Sequence, residues 1–500
     1  MTKMQDGEAG LPLTATTDEH RTAPAHSSTP TDVEYGALSA ETNNPHRQAH
    51  WVHAVFLLLA QIVGTGVLEL GGNLAAIGWI GIVPLLLFAP VNIYTGVLLT
   101  RLRTMYPRAL SLTDLGGAIF GATGAKCTAW LIYSYMVLAC ASYLLVLATT
   151  LQSMFFDFDL CHPKAAAIGV ALLMPFAQAR TLTCVSTLSI VSVITIGGTV
   201  LICISALLGE TAEDDAAFPT QAWIAPSASY GSTLAALCGF CFAYAGQSIY
   251  LEIMAEMQRP QKFPLALLVA NGPMVALYGG VASLLYSRRG ARTPPMLTDV
   301  LPFDTTKVVA SALLAVHIIV SYVITQQVLC TAAHRALNPL AVGSGALAQT
   351  RSAKLQWLAL SSAVAASSWL LASALPYFEI LTSLIGALQS APICLGIPAL
   401  FYLGATRGAS YASGRSSSGG AAAGHTAVAP LPCWERAVLY TLLACTMLLV
   451  VGGVGGSLSA LRTQSATASG MPFACHCHSQ ACSAGSDVDV AAIVATLGEL

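Results

Sequence analysis

From about residue 50 to residue 462 the chain is a succession of long apolar runs separated by short polar segments that hold most of the charge. A bilayer-crossing helix needs about 20 residues with few or no charges, so charge-free runs locate spans directly. Residues 53–100 contain one charged side chain, Glu69, and are long enough for two spans. The other runs are 127–156, 165–179, 181–209, 216–251, 263–287, 308–334, 355–378, 380–406 and 437–461. Together they predict eleven transmembrane helices. The shortest, 165–179, is flanked by Lys164 and Arg180, whose aliphatic stems let the charges reach the interfaces. Membrane β-strands would appear as segments of about ten residues with strict alternation, and the chain has none of that pattern.

Composition narrows the class further. Only 9% of the 500 residues are charged, against about 25% in soluble domains, and mean hydropathy is +0.67. A water-soluble globule and a disordered chain are both excluded. The net charge of −2 gives no electrostatic footing for nucleic acid, so the expected partners are the lipid bilayer and a small solute. An odd span count puts the two ends on opposite sides. Of the 22 Lys and Arg residues, only Lys164, Arg288, Arg289, Arg292, Lys307 and Arg462 then fall on the side opposite the N-terminus. The positive-inside rule therefore predicts a cytosolic N-terminus. Residues 1–48 read as a disordered tail with no signal-peptide pattern. Residues 50–404 form a ten-helix core, 405–431 a flexible Gly/Ser/Ala linker, 433–461 the eleventh helix and 462–500 a second tail. Most of the 14 cysteines lie in apolar runs, where they behave as small hydrophobes.

Two spans have unusual interiors. The first reads Val63-Gly64-Thr65-Gly66-Val67-Leu68-Glu69-Leu70-Gly71-Gly72-Asn73, with four glycines and an acid. The sixth reads Phe240 to Glu252 with a small-residue break at Ala243-Tyr244-Ala245-Gly246-Gln247-Ser248. Unwound backbone inside a bilayer is tolerated only where it faces protein or a cavity. Interrupted helices at matching positions of two halves point to a transporter site. At such breaks, freed N–H groups suit a carboxylate, and freed carbonyls suit an amine or cation. A zwitterion fits both. Close packing of helices on small residues would also explain the glycines of either break alone.

In these segments the chain resembles the amino acid/auxin permease family of secondary transporters. The family's first-span motif, G-A-G-[IV]-L-A-L-P-[YF], stands here as Gly64-Thr65-Gly66-Val67-Leu68-Glu69-Leu70-Gly71-Gly72. Its sixth-span motif, F-A-Y-x-G-H-S-x-x-P-E-I, is similar to Phe242-Ala243-Tyr244-Ala245-Gly246-Gln247-Ser248-Ile249-Tyr250-Leu251-Glu252-Ile253, followed by Met257, Pro260 and Lys262-Phe263-Pro264. The stretches Leu375–Phe378, Ser383–Ala387 and Pro398–Tyr402 are similar to its tenth span. The resemblance covers about residues 50–404 and implies an all-α membrane fold of two inverted five-helix repeats plus one extra helix. It also implies transport of amino acids by alternating access on a proton or sodium gradient. Four departures stand out: Glu69 for a small residue, Gly71-Gly72 for Pro and an aromatic, Gln247 for His, and Leu251 for Pro.

The expected substrate contacts are Gly64, Thr65, Gly66 and Glu69 in the first span, and Phe240, Tyr244, Ala245, Gly246 and Gln247 in the sixth. Glu69 is expected to carry a proton or pair with a substrate amine, since a mid-span carboxylate rarely lacks a role; a solvated place at a cavity mouth is the plain alternative. His317, Ser321 and Thr325 of the eighth span are further ion-coupling candidates, His317 also being readable as a packed, hydrogen-bonded core residue. Glu252 is a gate candidate, or the partner of Arg259 or Lys262. Tyr133, Tyr135 and Tyr143 mark a face of the third span. The tail pattern Cys475-His476-Cys477-His478 with Cys482 departs from four-ligand zinc spacing, so no metal is assigned; disulfides, with Cys161 as a candidate partner, are the other chemistry it offers. No phosphate-binding loop or catalytic constellation is present, so neither an enzyme nor a cofactor beyond a coupling H+ or Na+ is expected. The reading is an amino acid symporter with proton preferred to sodium, in the plasma membrane or a vacuolar or lysosomal membrane. The alternatives are a non-transporting receptor on the same scaffold, and a carrier of polyamine or auxin-like solutes.

Overall fold

The computed structural model describes residues 50–158, 160–178, 183–209, 219–224, 229–338, 350–415, 431–465 and 473. The regular elements among them are helices. The first span is α1 (Trp51–Ile62) followed by α2 (Gly66–Ile77), the second α3 (Ile82–Met105), the third α4 (Leu112–Met154) and the fourth α5 (His162–Ala177). The fifth is α6 (Thr183–Gly209), and the sixth is split into α7 (Tyr230–Ala243) and α8 (Tyr250–Glu256). Then come α9 (Phe263–Arg289), α10 (Thr305–Leu337) and α11 (Arg351–Ala374). The tenth span is α12 (Phe378–Ile385) running through two π-helical turns into α13 (Ile397–Arg415), and the eleventh is α14 (Cys433–Ser465). Nine helical stretches are long and apolar enough to cross a membrane; the bent α1–α2 pair is a tenth span and the shorter apolar α5 an eleventh. The spans fall where the charge-free runs predicted them.

Three boundaries differ from the sequence reading, the sixth span's helix beginning only at Tyr230 although its charge-free run starts at 216. The third helix starts at Leu112, well before the charge-free run at 127, because Ser111 and Asp114 form a capping box there. This first stretch ends at Gly121, whose φ of 69° lies in the left-handed region that favours glycine. The membrane-crossing part begins beyond it. At the other end of the core, α13 continues to Arg415, into the segment read as linker. The remainder of that linker, the 1–48 tail and the Cys475–Cys482 motif lie outside the described residues.

The helices sort into two groups by what they touch. The third, fourth, eighth and ninth spans pack on one another, and the eighth also packs on the fifth. The first, second, sixth and seventh spans form the other group. The tenth span lies against both the third and the sixth. The eleventh packs along the sixth: a methyl added to Gly456 would sit 1.9 Å from the Gly231 carbonyl oxygen, and one on Gly453 2.3 Å from Cys238 Sγ. Such small-residue seams let membrane helices associate without a hydrophobic drive. Arg101 of α3 adds a bond of 2.7 Å to Glu435 at the start of α14. The two broken spans therefore belong to one helix group, with the third and eighth spans facing them.

Candidate functional site

The first span bends by 54° between Ile62 and Gly66. The sixth unwinds at Tyr244 and resumes as a 3₁₀ turn at Gln247. These breaks meet. A methyl added to Gly66 would fall 2.5 Å from the Cα of Ala243, so only glycine lets the two backbones approach this closely. A single side chain also joins them: the Tyr278 hydroxyl of α9 lies 2.9 Å from the Ile62 carbonyl oxygen and 2.9 Å from that of Ala243. Those carbonyls close the last turns of α1 and α7, where a helix otherwise leaves acceptors unsatisfied. The ring of Tyr278 packs edge-on against Tyr244, centroids 5.1 Å apart, and Phe88 stacks on the far side of Tyr244 at 6.3 Å. The Tyr244 hydroxyl is buried without a hydrogen-bond partner.

Gln247 is held by the second span. Its Nε2 donates to Asn92 Oδ1 and to Thr95 Oγ1, each at 3.0 Å, and its Oε1 accepts from the Gly246 amide at 3.1 Å. The Tyr250 hydroxyl donates to the same Asn92 oxygen at 2.7 Å. Gln247, one of the expected solute contacts, has its amide occupied on both sides in bracing the break. Phe240 is fully buried within α7, one turn before the unwound residues.

Glu69 lies on the first turn of α2 and is fully buried. Thr382 of α12 donates its hydroxyl to Glu69 Oε2, while Glu69 Oε1 is unpartnered. Burial contradicts a solvated position at a cavity mouth. Asn73, one turn further along α2, is 1% exposed with both amide atoms unpartnered. The carboxylate of Glu379, from α12, acts electrostatically on Glu69.

On the eighth span His317, Ser321 and Thr325 form one stripe at four-residue spacing. His317 Nε2 is the nearest side-chain atom to a methyl built on Gly64, at 3.7 Å, which puts this stripe beside the first break. Its Nδ1 lies 2.8 Å from Ser192 Oγ and 3.1 Å from the Ser192 carbonyl oxygen, and Nε2 is 3.5 Å from Ser321 Oγ. His317 is thus a hydrogen-bonded core residue tying the fifth and eighth spans. Thr325 meets Tyr143 of the third span. Glu252 forms no ion pair with Arg259 or Lys262 among the described residues; Asp114 and Arg103 are the charged groups beside it. Cys161 is disulfide-bonded.

Sequence reasoning missed Tyr278, Asn92, Thr95, Thr382 and Glu379. Asn92 and Thr95 carried a signal, being polar residues one turn apart in an otherwise apolar run. Tyr278 and Thr382 carried none, since only tertiary packing brings their hydroxyls to the breaks.

The fold and the meeting breaks define a multi-pass membrane protein of the broken-helix class, two five-helix repeats with one added helix. The chain belongs to the family described as transmembrane amino acid transporter protein, whose model matches residues 47–417. Among its relatives, Amino acid transporter AVT1B of Arabidopsis thaliana is 27% identical over 359 residues, covering 69% of this chain and 63% of that protein. Amino acid transporter AVT1D of the same plant is also 27% identical, over 363 residues, covering 69% of this chain and 62% of its own. The chain thus spans less than two thirds of the length of these relatives. The solved structure of MhsT in complex with L-phenylalanine matches with a TM-score of 0.53 at 13% identity, covering 83% of this chain and 99% of that one. At that identity the likeness establishes the fold.

Proposed function

We propose that this protein is a secondary active transporter of amino acids that works by alternating access and is coupled to protons. The observation that carries the reading is the abutment of the two broken spans at Gly66 and Ala243, with one hydroxyl spanning both helix ends. An amino acid presents a carboxylate and an ammonium a few ångströms apart. The amides of Thr65 and Gly66 head α2, where the helix dipole favours the carboxylate, while the expected Gly64 amide is turned back onto the Ile62 carbonyl at 2.8 Å. Carbonyls around Phe240, Tyr244 and Ala245 take the ammonium, and the unpartnered Tyr244 hydroxyl faces the solute. Gln247 holds this frame in place, and the Ser321–Thr325 stripe flanks it. Rocking the first, second, sixth and seventh spans against the third, fourth, eighth and ninth opens the site to each side in turn. Proton coupling is preferred to sodium because Glu69 is a fully buried mid-span carboxyl, a residue type that carries protons in membrane transporters. Family membership supports the substrate class.

The test is uptake of a labelled L-amino acid mixture into proteoliposomes under an imposed proton gradient, a sodium gradient or neither. Accumulation under the proton gradient alone is the expected result. Accumulation under sodium alone overturns the coupling. Saturable binding with no flux under any gradient overturns transport.

A further inference from the structure

The seam between α2 and α12 concentrates acid where no cation reaches it. Glu69 is fully buried, with Thr382 donating to Oε2 and nothing bonded to Oε1. Asn73, one turn along the same helix, adds a 1%-exposed amide with neither atom bonded. Across the seam, Glu379 stands three residues before Thr382 and presses its carboxylate on α2. A methyl on Gly72 would lie 3.2 Å from Glu379 Oε1 and 3.3 Å from the Cα of Pro295. No Lys or Arg pairs with either acid among the described residues. A bare carboxylate at this depth is expensive by several kcal/mol, and a second acid facing it makes ionisation of both worse. Space on the other side of α2 is also tight, since a methyl on Gly239 of α7 would clash with Asn73 Nδ2. The cation that fits such a space is a proton.

We propose that Glu69, with Glu379 as its like-charged neighbour, forms a proton-binding latch between the first and tenth spans: one proton held on Glu69 keeps the seam closed, and its release parts α2 from α12. Within the alternating-access reading, on which its role in transport rests, the latch controls the face of the membrane to which α2 leads. Thr382 orients Glu69 by its hydroxyl, and the Asn73 amide stands beside the carboxyl as a second donor group. From α9 the facing titratable group is Tyr278. Arg288, Arg289 and Arg292 lie at the end of α9 and the turn after it. Asp299 follows in the next turn and is paired with Lys307 at 3.9 Å. The elements α7 and α1 bring no charged residue to the seam.

The experiment uses the purified full chain in proteoliposomes, with the protonated-carboxyl stretch followed by infrared titration and labelled amino acid flux measured in parallel. The Glu69→Gln variant is expected to lose a titrating carboxyl band and to lose proton-driven accumulation. In Glu379→Gln the like charge is gone, so Glu69 releases its proton more readily and the titration moves to lower pH by about one unit. In Thr382→Val the donor that favours the ionised form is gone, so the titration moves to higher pH. These opposite shifts keep the proposal decidable if Glu69→Gln fails to fold. An unchanged carboxyl band in Glu69→Gln, or a titration that neither of the other variants moves, overturns the latch. Absence of flux in the unmodified protein would sink the transport reading alone, because the infrared titration does not depend on it.

Discussion

Around the break in the sixth span most side-chain polar groups are paired, with the Tyr244 hydroxyl and Asn92 Nδ2 as exceptions: Gln247 uses both ends of its amide, and the Tyr250 hydroxyl shares Asn92 with it. Beyond the break in the first span Glu69 Oε1 and both amide atoms of Asn73 have no partner. Both regions are buried, so solvent exposure does not account for the difference. A hydrogen-bonded net favours one geometry, whereas unpaired polar atoms in a dry seam cost free energy that a change of protonation state or packing relieves. Within the rocking group, the sixth-span break thus reads as the fixed half of the site and the first-span half-helix as the part that moves against it. The Tyr278 hydroxyl, touching both, is the joint.

The comparison breaks most severely where the two halves meet. In Gly66→Val even the first added carbon would sit 2.5 Å from the Ala243 backbone. Overpacking of this kind costs about 1–3 kcal/mol and displaces backbone, and here the displaced backbone is the site. Solute flux should be abolished, with the melting temperature in detergent lowered. Flux near the unmodified level would show that the breaks do not need to touch.

Asn92→Leu attacks the fixed half. Two Gln247 contacts reduce to one, and the Tyr250 hydroxyl is left without an acceptor. Leaving buried donors unpaired costs about 1–3 kcal/mol, although membrane hydrogen bonds average nearer 0.6 kcal/mol. A drop in thermal stability larger than that of Glu69→Gln is the expected outcome. If Glu69→Gln is the more destabilising, the contrast between a braced and an open break is wrong.

How much of this the sequence carried depends on the kind of signal. Spans were legible because the bilayer requires long charge-free runs, and Glu69 and the glycines stood out against that background. The short α5 was found through Lys164 and Arg180 at its ends. The helix from Leu112 was hidden by Asp114 and Lys126, which broke the charge-free pattern although Ser111 and Asp114 cap a helix start. Within the site, residue type was a poor guide to role. Gln247 reads as a solute contact from its place in the sixth-span break, and no sequence pattern signals its bonds to Asn92 and Thr95 of the second span. Glu379 was passed over because it sits at a run boundary, where acids are ordinary; its place opposite Gly72 comes from the packing of α12 on α2.

Tyr278→Phe separates joint from brace with the smallest change. A hydroxyl has one hydrogen, so at 2.9 Å from both the Ile62 and the Ala243 oxygens it donates to one at a time and can pass between them. Removing it leaves the ring packed against Tyr244 and deletes about one hydrogen bond, worth about 0.5–1.5 kcal/mol at most. Melting should therefore fall less than in Asn92→Leu. Exchange should fall more than that loss of stability implies, with the maximal rate reduced and the half-saturating concentration little changed, because the hydroxyl links the moving half to the fixed half without touching solute. A loss of stability matching Asn92→Leu, with exchange falling only in proportion, would place Tyr278 in the scaffold and leave the two breaks without a joint.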